Sequence, residues 1–361
     1  MQAQGVCHIF IAFDVAQSID LETVGRLLKE PAQREIIRAG PRAPAYFQIR
    51  PLPLRVARRT EPLEIAGFRT APQVDVVLFD FGGVSVSYTI PLAAAAASLV
   101  PLAEALTDNK GLIAHARGHV ESLIASLGPA LRRPMLSEVV EDYVVFRLKP
   151  EPRPADADAL VRDQAALFAS ILRCDPSPLS AQQREDAISS RVSYAPDDAV
   201  VIDWNAALVI APDDAADTLA VLEFANVELM EVRHLDDRLD SDLDLAYEAA
   251  SSPASFWSRV RGSRSMLQRR LARLQVDSAV LFEEVNNALK LIGDQHLARV
   301  YRLAAQRFHL SEWDASITRK LETLDNIHQK LVEERAGLRM EVLEWIIIIL
   351  IAFEVVMAFF R

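Results

Sequence analysis

Histidine is the residue type best suited to metal binding here, and the seven histidines are dispersed along the chain. His115 and His119 lie four residues apart, a spacing that places both on one face of a helix. Two imidazoles need further ligands that the neighbouring sequence does not supply, so we expect surface or capping roles and no metal or other cofactor. The sequence also lacks the phosphate-loop, dinucleotide-binding, zinc-protease and serine-hydrolase motifs. These patterns predict a protein that is not an enzyme.

One aspartate motif leads to an alternative hypothesis. Val77 to Val84, VLFDFGGV, is similar to the first motif of haloacid-dehalogenase-type phosphatases, in which a strand delivers an aspartate nucleophile, here Asp80, into a glycine-containing turn. Magnesium-dependent phosphoryl transfer at Asp80 is therefore an alternative function. Position 82 is glycine, however, where most of these phosphatases have the acid/base aspartate. We favour a buried strand that ends in a Gly-Gly turn.

Residues 31–72 are rich in proline and arginine, so we expect little regular structure there. Positioned cations bind phosphate groups, and the segment could therefore contact RNA, a ribosome or anionic lipid. The aromatics Tyr46 and Phe47 are too few for a base-stacking platform, so a solvated loop or edge strand is the interpretation we favour. The arginines that could form the basic contact surface are Arg50, Arg55, Arg58 and Arg59.

The C-terminal residues 345–360, WIIIILIAFEVVMAFF, are apolar except for Glu354. As a helix they would be roughly 24 Å long, against about 30 Å for the hydrocarbon core of a bilayer. Because apolar residues occur on every face, we predict a transmembrane helix, and a buried helix in an oligomer core is the alternative. The expected membrane or oligomer contacts are Trp345, Ile346, Ile349, Phe353, Glu354 and Phe360.

The flanking charges predict the orientation of this helix. Lys330, Arg335 and Arg339 precede it and only Arg361 follows it. The positive-inside rule then predicts a tail-anchored protein of the cytoplasmic (inner) membrane, with the bulk of the chain on the cytoplasmic side. Glu354 would lie near the middle of the bilayer, against a neighbouring helix.

The remaining elements must position these residues. Gly82-Gly83 is expected to turn the chain between two strands. Pro91 to Leu106 predicts a helix with Pro91 at its first position, and Gly111 to Leu127 predicts a second helix. Ala199 to Ile210 predicts a strand pair interrupted at residues 203–205. Short β-branched apolar runs predict four buried strands at residues 6–13, 74–81, 84–90 and 139–148.

Apolar residues recur at heptad spacing near the C terminus. One series runs from Leu267 to Ile292, and a second runs from Ile317 through Leu321 and Leu324 to Val342. Gly293-Asp294 separates the two series. The pattern predicts a long antiparallel helical hairpin whose second arm continues into the apolar C-terminal helix, and a homo-oligomer that associates through this hairpin.

Composition limits the class of protein. The 361 residues are 51% hydrophobic and 25% charged, which excludes a disordered chain and a polytopic membrane protein. The net charge of −11 argues against general electrostatic binding of nucleic acid, and we predict no DNA partner. Cys7 and Cys174 lie far apart and without a CxxC motif, which fits a reducing compartment.

The C-terminal sequence LEWIIIILI from Leu343 to Ile351, followed by Glu354-Val355-Val356, resembles the closing motif of the domain-of-unknown-function 155 family, which includes YagE-like and "required for meiotic nuclear division" proteins. Residues 75–86, 141–143, 222–239 and 256–257 are similar to further elements of that family, in the same order. The resemblance implies a membrane-tethered assembly that supports translation at the membrane, and it supplies no catalytic residues.

Taken together, the patterns predict an α+β protein. We expect a mixed α/β domain over residues 1–150, a strand-pair and helical domain over 155–250, the helical hairpin over 253–342 and the transmembrane helix over 345–360. The expected function is that of a membrane-tethered, non-enzymatic scaffold with a protein or ribosome partner.

Overall fold

The computed structural model describes residues 2–28, 32–34, 52–212, 215–251 and 295–359. The first arm of the predicted hairpin lies outside these residues. Among the described residues, strands dominate the first part of the chain and helices dominate the last. This confirms the predicted α+β class, with a mixed-sheet N-terminal domain and a helix-rich C-terminal region.

A nine-stranded sheet organises the N-terminal part. One neighbouring pair of its strands, Val140–Leu148 with Ala206–Ile210, is parallel, and the other neighbouring pairs are antiparallel. Two short ladders, β2 (Ala16–Ile19) with β9 (Leu131–Pro134) and β5 (Glu64–Ile65) with β6 (Phe68–Arg69), stand apart from it. In spatial order the sheet strands are β11 (Arg191–Val192), β12 (Ala199–Ile202), β13 (Ala206–Ile210), β10 (Val140–Leu148), β1 (Gln2–Asp14), β8 (Gly83–Ala95), β7 (Gln73–Leu78), β4 (Leu54–Arg59) and β3 (Ala32–Arg34).

Helices connect and follow these strands, and side-chain caps start several of them. Asp20 accepts from two backbone N–H groups at the start of the helix that begins at Leu21. Asn109 and Ser180 each accept from one backbone N–H group at the starts of two further helices. The helices are α1 (Leu21–Leu27), α2 (Leu99–Leu106), α3 (Lys110–Leu127), α4 (Ala157–Asp163), α5 (Ala165–Arg173), α6 (Ala181–Ser189), α7 (Ala216–Ser251), α8 (Gln295–Arg307) and α9 (Leu310–Phe359).

One face of the sheet forms the main hydrophobic core. Alternate residues of β1, Cys7, Ile9, Ile11 and Phe13, are buried together with the matching residues of β7, β8 and β10. Buried residues of α1 to α6 belong to the same cluster. The alternation of side chains along each strand leaves the other residues of the same strands on the opposite face.

That opposite face is more polar, and the first part of α7 packs against it with α8. Ser85, Ser87 and Glu141 are buried there alongside apolar residues such as Phe10 and Tyr143. The rings of Phe79 and Phe224 and those of Tyr143 and Phe308 are in contact. Polar side chains buried at this level need partners, because an unpaired buried polar group is destabilising.

The predicted Gly-Gly turn joins β7 to β8, and both glycines are required by close contacts. Gly82 has φ +112°, and a Cβ there would lie 1.8 Å from the carbonyl oxygen of Ala16. A Cβ on Gly83 would lie 2.7 Å from Val227 on α7 and 3.0 Å from Glu231 Oε1. The two glycines therefore allow the turn to approach the β1–β2 segment and α7 to approach β8.

Several strand predictions are confirmed, but the helix predicted from Pro91 is wrong at its start. β8 continues to Ala95, and α2 begins only at Leu99. Pro91 pairs with Val6 on β1 at a point that lies beyond the N-terminal end of β7, since the β7–β8 pairs run from Leu78 with Val84 to Asp75 with Ser87. A proline is tolerated there because its missing N–H removes no bond to β7.

The sheet continues across residues 149–154, where the first domain boundary is predicted. The parallel pairing of β10 with β13 places residues on both sides of 149–154 in one sheet. By contacts the chain divides into Met1–His234 with Phe282–Trp313 as one unit, and Leu235–Leu281 with Asp314–Arg361 as a second, and the predicted domain bounds stay predictions. Part of the arginine-rich segment is regular as well, because β4 is a six-residue strand of the sheet.

The second unit contains most of α9 and the end of α7. Lys320 contacts Asp236 at 2.8 Å and Asp240 at 2.6 Å, and Ser316 donates to Asp236. Ile317 and Leu324, two positions of the predicted heptad series, are fully buried. α9 is one continuous helix from Leu310 to Phe359, which agrees with the prediction that the heptad arm runs directly into the apolar segment.

Candidate functional site

The C-terminal part of α9 exposes a group of large apolar side chains. Ile347, Ile348, Leu350, Ile351 and Phe353 are between 54% and 63% exposed. Consecutive turns of one helix bring them together into a single surface, which we call the apolar segment. Among the residues predicted as contacts, Phe353 belongs to this surface. Trp345, Ile346, Ile349 and Glu354 lie in the same helix, and Phe360 lies outside the described residues.

The prediction of a membrane anchor is wrong. Over the described residues, the structure contains no helix whose length and apolar character would let it span a bilayer. The structure therefore does not support the predicted tail-anchored topology, the inner-membrane localisation or the membrane-tethered function.

The arginines predicted to form one basic surface do not lie together. Arg55 and Arg58 are three residues apart on β4 and so project from opposite faces of the strand. Arg55 contacts Asp75 at 3.2 Å and Glu223 at 2.9 Å, whereas Arg58 donates to the backbone oxygen of His119 and to Ser122. Arg59 is exposed, and Arg50 lies outside the described residues.

Asp80 lies in the tight turn between β7 and β8. Phe79 N–H donates to the Gly83 oxygen, and the Asp80 carbonyl accepts from Ile19 N–H. Burial raises the pKa of the Asp80 carboxyl. The turn leads from one antiparallel strand into the next, so the surroundings of Asp80 differ from the strand-to-loop arrangement that the phosphatase motif implies.

The most connected polar group beneath α7 centres on His234. Its Nδ1 is hydrogen-bonded to Ser137 Oγ at 2.9 Å, and its Nε2 lies 3.0 Å from Asp14 Oδ2. Ser137 Oγ also accepts from Val139 N–H, and Asp14 Oδ1 accepts from Ala16 N–H. All three side chains are buried. They join α7 to the end of β1 and to the loop before β10.

A second polar group lies nearer the start of α7, where the helix faces β4 and β8. Glu223 is 2% exposed, accepts from Ser85 Oγ at 2.7 Å and contacts Arg55 at 2.9 Å. Arg55 in turn contacts Asp75. A buried carboxylate is stable when a cation and hydrogen bonds compensate its charge, and here β4 and β8 supply both.

Further along the same helix, Arg233 forms an ion pair with Glu141 on β10, and Asn226 donates to the backbone oxygen of Glu141. Burial raises the pKa of Glu141 to about 7 despite the opposing effect of Arg233. Glu228 accepts from the Tyr301 hydroxyl of α8 at 2.7 Å. These contacts match donors with acceptors within the chain, so the polar layer holds α7 and α8 against the sheet.

His8 belongs to the same polar face. Burial lowers the pKa of His8 to about 4, and the nearby cations Arg147 and Arg55 lower it further. The imidazole is therefore neutral over the physiological pH range.

The two helix-spaced histidines lie on the other side of the sheet. His115 contacts Tyr88 Oη at 2.7 Å through Nδ1 and Thr60 Oγ1 at 3.3 Å through Nε2. The ring of His119 packs edge-on against that of His115. Within the described ranges, no group of three or more histidine, cysteine or acidic residues is arranged to hold a metal ion.

Asp14, Ser137 and His234 are a group that the sequence pattern does not reveal. They lie more than ninety positions apart in sequence, and no spacing rule connects such residues. A usable indication was present in α7, where Glu223, Glu228 and Glu231 interrupt an otherwise apolar run. Acidic residues at helical spacing within apolar sequence indicate a helix whose buried face must meet polar partners.

Comparison with known proteins gives one family. Residues 4–217 match the family described as "Uncharacterized protein MJ0711, N-terminal domain". The uncharacterized protein MJ0711 of Methanocaldococcus jannaschii is 19% identical over 205 residues, which cover 56% of this chain and 62% of that protein. The alignment thus covers less than two thirds of this relative's length. No solved structure matches the chain.

The family match extends from β1 to the first residues of α7, and it therefore includes the strands of the central sheet. The rest of α7, α8 and α9 lie beyond it. The resemblance to the domain-of-unknown-function 155 family is not addressed by these matches and stays a prediction.

Proposed function

The chain belongs to the family of the MJ0711 N-terminal domain, because more than half of its length matches that family, and the family's description assigns no activity. We propose that it is a non-enzymatic protein that assembles with further copies of itself through the apolar segment of α9. The observation that supports this proposal is the exposure of five large apolar side chains on one helix. Folded proteins rarely leave a contiguous group of large apolar side chains in water unless another surface covers it.

A second copy of the same chain is the partner that best fits this surface. The apolar segment offers no charged side chain among its five exposed residues, so a partner must match it by shape and apolar area. An identical segment from another copy is equally long and equally apolar.

The polar groups beneath α7 support a structural role for the rest of the molecule. Ser137, His234 and Asp14 are buried and contact one another, and Ser137 also accepts from a backbone N–H group. Glu223 and Glu141 are each compensated by an arginine. These side chains thus take part in contacts that join α7 to the sheet.

The test is the sedimentation velocity of the full chain with and without a charge in the apolar segment. Ile351→Glu places a carboxylate at the centre of the proposed contact, and we expect it to reduce the sedimenting mass to that of a single chain. Asn326→Glu adds the same charge at an exposed polar position of the same helix and should leave the mass unchanged. A parent protein that sediments as a single chain would contradict the proposal, as would an unchanged mass for Ile351→Glu.

A further inference from the structure

The side chains of Ser137, His234 and Asp14 are arranged like a nucleophile, its base and the group that orients the base. The Ser137 hydroxyl lies 2.9 Å from His234 Nδ1, and His234 Nε2 lies 3.0 Å from Asp14 Oδ2. A base within hydrogen-bond reach of a hydroxyl, and itself oriented by a third group, is the arrangement that activates serine. The backbone supports it, because Ser137 N–H donates to the Asp14 carbonyl oxygen at 3.0 Å.

The acceptors in this group determine where its protons lie. A carboxylate only accepts hydrogen bonds, so the proton of the neutral imidazole lies on Nε2, towards Asp14. Nδ1 is then an acceptor, and the Ser137 hydroxyl donates to it. Ser137 Oγ also accepts from Val139 N–H at 3.0 Å, which holds the hydroxyl oxygen in this position. His234 is therefore placed to take the proton of Ser137.

A cation lies next to Ser137, and the surface is close. Arg117 Nη2 donates to the Ser137 carbonyl oxygen at 3.1 Å. A neighbouring cation favours the negative charge that develops on oxygen when a hydroxyl attacks a carbonyl carbon. Ser137 is 5% exposed, but the side chain of the following residue, Glu138, is 93% exposed. The hydroxyl thus lies just beneath the surface, which favours a small acyl group over a large one.

From this geometry we infer that Ser137 is an acylation site for activated esters of small carboxylic acids. Ser137 Oγ forms a bond to the acyl carbon, and its proton passes to His234 Nδ1. The bond between the acyl carbon and the ester oxygen breaks, and the leaving group departs with the electron pair and takes up the proton from His234. The inference goes beyond the proposed function, because it concerns a covalent modification of the chain and not its self-association.

The experiment treats the full chain with p-nitrophenyl acetate and locates the acetyl groups by mass spectrometry of its peptides. We expect Ser137 to be acetylated faster than Ser126, which is exposed and whose hydroxyl donates to a backbone oxygen. Asp14→Asn and His234→Gln should each slow the acetylation of Ser137 by about a hundredfold, because the base is misoriented or lost. Ser126→Ala is the matched control and should retain the parent rate at Ser137.

The comparison of the two serines within the parent chain depends on no variant. A parent chain in which Ser137 reacts no faster than Ser126 would overturn the inference. Equal rates at Ser137 in the parent, Asp14→Asn and His234→Gln would overturn it as well. Circular dichroism of each variant establishes that the chain is folded, so that a slower reaction is distinguished from a loss of structure.

Discussion

At the scale of single residues, the pKa of His8 makes stability depend on pH. The folded pKa of about 4 lies below the ordinary value of 6.5 because of burial, Arg147 and Arg55. Between pH 6.5 and 4 the unfolded chain binds a proton at His8 more readily than the folded chain does. The free energy of unfolding is therefore highest above pH 6.5 and decreases as the pH falls towards 4. We expect a loss of up to about 3 kcal/mol over that range, at about 1.4 kcal/mol per pKa unit.

The measurement is the free energy of unfolding in urea between pH 4 and pH 7. In His8→Gln the same pH range should give a flatter profile, because glutamine does not titrate. Parallel profiles for the parent and His8→Gln would show that His8 does not cause the loss. Glu141 has a raised pKa and therefore acts in the opposite direction, towards lower stability as the pH rises through about 7.

At the scale of elements, the contact of Arg55 on β4 with Glu223 on α7 attaches the helix to the sheet. Arg55→Met would leave the Glu223 carboxylate buried without this cation, and we expect a loss of about 3–5 kcal/mol in the free energy of unfolding. Arg55→Met combined with Glu223→Gln should recover a large part of that loss, because it removes the charge that needs compensation.

Arg59 provides the matched control, since it lies on the same strand and is exposed. Arg59→Met should change the free energy of unfolding by less than about 0.5 kcal/mol. Equal effects of Arg55→Met and Arg59→Met, or no recovery in the double variant, would show that the ion pair of Arg55 with Glu223 does not attach α7 to the sheet. Urea unfolding followed by circular dichroism gives all four values.

Element prediction succeeded where the signal is local. The apolar β-branched runs identified β1, β7, β8 and β10, and Gly82-Gly83 identified the turn, because strand and turn preferences depend on neighbouring residues. It failed at Pro91, where pairing with β1 extends the strand. Pairing partners such as β10 and β13 are more than fifty residues apart, and only the assembled sheet shows them.

At the scale of the whole molecule, prediction and structure differ most at the apolar C-terminal residues. Their composition predicted a membrane anchor, whereas the structure shows Leu310–Phe359 as one helix and no membrane-spanning helix in the part of the chain it describes. Hydropathy alone does not distinguish lipid from protein as the surroundings of an apolar helix. α9 is continuous, and Ile317 and Leu324 on the same helix are buried in the second unit. The apolar segment therefore extends directly from a packed part of the chain.

If copies associate through α9, the stability of the molecule must depend on its concentration. Association of folded chains stabilises the folded state by mass action, so a tenfold increase in concentration contributes about 1.4 kcal/mol for each association step. We expect the Tm of the parent chain to rise by roughly 2–4 °C per step over that range, measured by differential scanning fluorimetry. Ile351→Glu should have one Tm at both concentrations, whereas Asn326→Glu should follow the parent. A parent Tm that is independent of concentration would show that unfolding is not linked to assembly. Contacts between copies change the folding equilibrium only when folded chains form them and unfolded chains do not.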